Sequence, residues 1–155
     1  MPGKEDLLRH AEQLGVDPSA VSDASEVSQR MQAKPDRSQE EARRFAIDCA
    51  RMMEADRCDE IVVLDLRGVS PICDFFVIGN GTSDRQMRAA VDHIKEAAKE
   101  QGQRPYSTSG YREGAWIVVD YVDVIVHLFE AERRAYYDLD SLWGDSPSVE
   151  WGNSE

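Results

Sequence analysis

Four aspartates, Asp65, Asp74, Asp120 and Asp123, are the residues of this chain whose type suits a metal ion. Magnesium for nucleotidyl transfer needs carboxylate oxygens that converge on one octahedral ion, and two carboxylates aligned on one strand supply them. The spacing here does not. Asp120 and Asp123 stand three apart across a turn, so they share no strand face, and Asp65 has no acidic residue two positions away. Gly79-Asn80-Gly81-Thr82-Ser83 lies between a strand pattern and a helix start, where backbone N–H groups can hold a phosphate. It matches neither G-x-x-x-x-G-K-S/T nor G-x-G-x-x-G, and no lysine is placed to pair with phosphate. It reads as a tight turn with a helix cap. His127 sits alone in an apolar run and reads as a hydrogen-bonded structural residue. His93 is beside Asp92 on a helix facing water, His10 lies far toward the N-terminus, and Ser107, Ser109 and Ser141 have no nucleophile elbow. No triad, cofactor motif or metal set emerges, and the reading is of a protein that is not an enzyme.

What remains is surface. Trp116, Tyr136, Tyr137 and Trp143 form a dense aromatic group, with Asp120, Asp123, Glu130, Glu132, Asp138 and Asp140 around it. Aromatic anchors rimmed by acids suit a basic protein partner, although each ring could equally serve the core. Tyr136 and Tyr137 are adjacent and point about 100° apart on a helix, so at least one is expected to be partly exposed.

The elements that position these residues follow from periodicity. Trp116–Val119 and Val122–Phe129 are β-branched and aromatic runs joined by an acidic corner, which predicts an antiparallel hairpin. Val124-Ile125-Val126 is apolar without alternation, so the second strand is expected to be central and buried on both faces. A helix is predicted over 131–142. Upstream, Ser38 and Glu41 form a capping box for an amphipathic helix to Ala55, carrying Ala42, Phe45, Ala46, Cys49, Met52 and Met53. Strands are predicted at Ile61–Leu66 and Phe75–Ile78. A second helix opens at Ser83, with Gln86 as its capping-box partner, and ends at Gly102. An edge strand is predicted at Pro105–Ser107, and that open edge would permit two copies to pair as a homodimer. The fold class is α/β, a mixed sheet of about five strands with helices packed on it.

The domain is expected to span 38–144. Residues 1–37 are expected to be an extension, largely disordered with a short helix over 4–14, because 16–34 carries too little apolar surface to offset the entropy of ordering. Residues 145–155 are expected to be a flexible tail. Thirty acidic against eighteen basic residues give a formal net charge of −12. Such a chain repels DNA phosphates and anionic membranes and favours a basic protein. Three cysteines without C-x-x-C spacing, no leader and no long apolar run predict a cytoplasmic protein.

The stretch Asp59 to Gln86, containing D-L-R-G-V-S-P-I-C-D-F-F-V-I-G-N-G-T-S-D-R-Q, resembles the ribosomal silencing factor family, also called Iojap. So do W-I-V-V-D-Y-x-D-V-I-V-H-L-F (Trp116 to Phe129) and R-x-Y-Y-D-L-D-S-L-W (Arg134 to Trp143). The resemblance implies a nucleotidyltransferase-like topology without a catalytic site. It also implies a translation repressor that binds large-subunit ribosomal protein fourteen and sterically blocks joining of the small subunit when nutrients are short. Trp116 and Tyr137 match family contact positions, and Asp120 and Asp123 are added to them. Two alternatives are a large-subunit assembly factor and a residual nucleotidyltransferase using Asp65, Asp120 and Asp123. The family usually has glycine where this chain has Val122. Valine at positive φ would cost about 1–2 kcal/mol, so negative φ is expected there.

Overall fold

The computed structural model describes residues 29, 31–70, 73–131 and 146–152. Helix α1 (Gln39–Ala55) opens on the predicted capping box: the Ser38 hydroxyl accepts from the Glu41 N–H, and Glu41 Oε1 accepts from the Ser38 N–H. After it come β1 (Asp59–Asp65), β2 (Phe75–Gly81), α2 (Asp84–Glu100), β3 (Ser107–Ser109), β4 (Trp116–Asp120) and β5 (Val124–Glu130). The sheet order is β1-β2-β5-β4-β3, with β2 and β5 parallel and every other pair antiparallel. A mixed five-stranded α/β sheet is the architecture expected.

Alternation along the strands divides the core in two. Phe75, Val77, Val119, Val124, Val126 and Leu128 face α1 and α2, where Phe45, Cys49, Met53, Met87, Val91 and Ile94 meet them. Phe76, Ile78, Val118, Ile125 and Phe129 form a second apolar cluster on the opposite face. Strand β5 is therefore buried from Val124 through Phe129, as its unbroken apolar run predicts for a central strand.

Gly79-Asn80-Gly81 is not the predicted turn; it is the end of β2, buried at every position. A Cβ at Gly79 would run into Met53 Cε, and one at Gly81 into Met87 Cγ. The glycines are there so that two helices can lie close on one strand, a packing cause that mimics a turn signal. The predicted cap at Ser83 is present, its hydroxyl accepting from the Gln86 N–H. The reciprocal half of the box is not: Gln86 Oε1 accepts from the Thr82 N–H, and its Nε2 donates to Asp56 O at the end of α1.

Both predicted appendages are partly built into the domain. Residues 147–149 run antiparallel to β1: the Asp65 N–H donates to Pro147 O and the Val149 N–H to Val63 O, each at 2.8 Å. Trp151 packs on the core and its indole N–H donates to Ile61 O, while Arg51 donates to Trp151 O. The 146–152 part of the expected flexible tail thus lies against the C-terminal half of β1. At the other end, Arg37 lies over the Phe45 ring at 4.3 Å and reaches the β4–β5 turn. The helices predicted over 4–14 and 131–142 lie outside the described residues, apart from Ala131.

That turn also overturns an expectation. Val122 has φ +76°, not a negative value. The Asp123 N–H donates to Tyr121 O, making a γ-turn of the rare positive-φ kind centred on Val122, and the Tyr121 N–H donates to Val124 O. The strain is offset in three ways. Asp120 Oδ1 accepts from the Val122 N–H at 2.7 Å, Asp123 is clamped by Arg37, and the valine side chain is almost wholly buried. Sequence reasoning counted only the backbone cost.

Candidate functional site

Trp116 starts β4 and pairs directly with Phe129 across the hairpin. The two rings stack with centroids 5.0 Å apart and planes 17° from parallel. His127, two residues before Phe129 on the same face of β5, is the diagonal neighbour of Trp116 and stacks on it at 6.0 Å. The Trp116 indole N–H donates to His127 Nδ1 at 3.2 Å. Trp116 is half-buried while His127 is fully buried, so the indole is anchored inward and part of its surface stays open. His127 is hydrogen-bonded, as its setting predicted; the identity of its partner was missed. A signal was present, because in a hairpin centred between Val122 and Asp123 position 116 must face 129 and sit diagonal to 127.

Asp120 and Asp123 do not rim this aromatic group. They flank the turn at the other end of β4, about 13 Å from Trp116 at the usual strand rise, and are only 4% and 2% exposed. Their carboxylates face inward, Asp120 onto the turn backbone and Asp123 onto Arg37. Tyr137 lies outside the described residues, as do Tyr136 and Trp143.

The aspartates do not converge. Asp65 forms a bidentate pair with Arg67, whose hydrogen bonds hold its carboxyl below the usual carboxylate range. Burial pushes Asp74 the other way, with Asp123 nearby adding to the rise and Lys34 opposing it. Lys34, Ser70, Cys73, Asp74, Val122 and Asp123 line a cavity of about 50 Å³. That is room for a water, far below the roughly 300 Å³ at which small-molecule sites begin. Among the described residues, no three His, Cys, Asp or Glu side chains are grouped to hold a metal. No helix among them is long and apolar enough to cross a membrane.

Residues 38–155 match the family described as "Ribosomal silencing factor during starvation". The chain belongs to that family. It is 42% identical over 94 residues to the ribosomal silencing factor of Halalkalibacterium halodurans, covering 61% of this chain and 80% of that one. A mouse relative named for mitochondrial assembly of the ribosomal large subunit is 31% identical over 104 residues, 64% of this chain and 46% of that one. A crystal structure from Bacillus halodurans has TM-score 0.60 at 34% identity, covering 72% of this chain and 98% of that one. As a ribosomal silencing factor family member, this chain carries Arg37 one position ahead of the matched region. The structural residue that locks its hairpin turn is therefore contributed by the segment preceding the family domain.

Proposed function

We propose that this protein represses translation by binding the large ribosomal subunit through ribosomal protein fourteen and blocking the small subunit from joining. Family membership over 38–155 is the observation that carries the reading. Two properties of the chain support it. A net charge of −12 favours encounter with basic ribosomal proteins and disfavours bare RNA. Trp116 is a rigid aromatic with its N–H tied inward and part of its surface open, the kind of anchor on which interfaces depend. In this reading Trp116 and Tyr137 touch the partner, while Asp120 and Asp123 contribute by shaping the turn. Steric exclusion requires residence on a face, not chemistry, so the protein acts without catalysis and in the cytoplasm, lowering translation when nutrients are limiting.

The test is sedimentation of purified large and small subunits with and without the protein at two salt concentrations. Co-sedimentation with the large subunit, fewer joined particles and weaker binding at high salt are expected. Trp116→Ala should weaken binding by about 2 kcal/mol, roughly thirtyfold, without unfolding the domain. Binding to neither subunit at low salt would sink the reading. The name of the mouse relative favours a second one, large-subunit assembly. Depleted cells separate the two, since failed assembly accumulates subunit precursors and failed silencing does not.

A further inference from the structure

We infer that His127 is the positioning residue for Trp116: as a neutral imidazole it accepts the indole hydrogen at Nδ1 and fixes the ring that meets the partner. This rests on the proposed role of Trp116 as a contact residue.

The donor logic is one-directional. An indole N–H can only donate, so the 3.2 Å contact requires a lone pair on His127 Nδ1. The ring proton is then on Nε2, and the imidazole is uncharged. Protonating Nδ1 would replace an attraction with two hydrogens pointed at each other, in a side chain that is fully buried. Geometry around the ring fixes its plane. Phe76 meets His127 edge-on at 4.6 Å, and Phe129 lies nearly parallel to it at 6.1 Å. His127 in turn is carried by β5, the central strand, paired on both sides: Ile78 of β2 and Val118 of β4 are its register partners. Trp116 stands at the opposite extreme, the first residue of a five-residue strand. The hydrogen bond therefore ties a peripheral, half-open aromatic to the most constrained part of the sheet. For a docking ring this matters twice: the indole is held in one rotamer before the partner arrives, and less side-chain freedom is lost on binding. A phenylalanine at 127 would keep a ring beside Phe76 and Phe129 but would offer the indole no acceptor.

Two substitutions separate positioning from packing. His127→Phe keeps an aromatic ring and removes the acceptor. His127→Asn keeps an acceptor close to the Nδ1 position and loses the ring. Melting temperature, large-subunit affinity and the Trp116 indole ¹⁵N–¹H resonance, assigned by its loss in Trp116→Phe, are measured on the full chain. The expected result is that His127→Phe melts at or above the parent temperature, binds about three- to tenfold more weakly as one hydrogen bond's worth of positioning is lost, and shifts the indole resonance upfield. His127→Asn should melt lower, yet bind more tightly than His127→Phe. Parental affinity in a folded His127→Phe, or losses that simply follow melting temperature across both variants, would overturn the inference. An indole resonance unmoved in His127→Phe would overturn it by itself, whatever the ribosome does. If Trp116→Ala binds like the parent, the contact reading fails first and this inference falls with it.

Discussion

Arg37 donates to both carboxylate oxygens of Asp123, Nε to Oδ2 at 2.8 Å and Nη2 to Oδ1 at 2.6 Å, across 86 positions of sequence. Both side chains are nearly sealed from water, at 5% and 1% exposure. A bidentate pair in that setting is short of alternatives: removing one partner strands the other charge. Arg37→Ala is expected to cost about 3–5 kcal/mol in urea unfolding. A chain beginning at Ser38 should lose a comparable amount. A loss under 1 kcal/mol in either would show that the turn holds without its clamp.

Val122→Gly tests how the turn tolerates its φ. Glycine would relieve about 1–2 kcal/mol of backbone strain. It would also give up about 1.5–3 kcal/mol of burial and add freedom to the unfolded chain worth about 0.5–1 kcal/mol. The expected net is a destabilisation of about 1.5 kcal/mol by chemical denaturation, even though glycine suits the backbone. A stabilised variant would mean that the buried methyl groups contribute less than the strain.

Gly110→Ala should disturb the site from a distance. Gly110 has φ +75°, and a Cβ there would collide with the carbonyl oxygen of Trp116. Backbone cannot yield as a flexible side chain can, so a loss of about 2–3 kcal/mol is expected, with a displaced Trp116 indole resonance. Gly68, whose φ is +77° with nothing near its Cβ, serves as the control. Gly68→Ala should carry only the backbone strain of about 1 kcal/mol and leave the indole unmoved.

Two surface pairs set opposite limbs of the pH profile. Asp56 accepts from His93 at 2.8 Å and raises it above its ordinary 6.5. A raised folded value gives support that is complete below pH 6.5 and lost as pH climbs through the folded value. The imidazole is more than half exposed, so screening limits the effect to a few tenths of a kcal/mol. Arg67 depresses Asp65 below its ordinary 3.8, so that support is present above 3.8 and lost as pH falls through the lower folded value. His93→Gln should flatten the neutral-to-alkaline slope of melting temperature and spare the acid limb. Asp65→Asn should do the reverse.

What was legible in the chain was local. Ser38 with Glu41 announces α1, Ser83 announces α2, and the unbroken Val124–Phe129 run announces a central strand, because caps and faces are written within a few residues. What was not legible depends on partners far away in sequence. Gly79 and Gly81 look like a turn until Met53 and Met87 are seen to need their space. Val122 looks forbidden at positive φ until Asp120, Arg37 and its own burial are counted. Pro147 to Trp151 look like a loose tail until the open backbone of β1 is laid beside them. Trp116 was singled out by type, but its hold on His127 follows only from hairpin register, as does the placement of Asp120 and Asp123 at the opposite end of β4.

Pro147 to Val149 lie along the Val63–Asp65 end of β1, one edge of the sheet, while the three-residue β3 forms the other edge. A sheet with two bare sides can add neighbours without limit and grow into a fibre. Among the described residues, the Val63–Asp65 end of β1 is already taken up by backbone bonds to Pro147 and Val149. A neighbour approaching along β1 would meet the Pro147–Val149 segment first, so the chain carries its own brake on growth from that side.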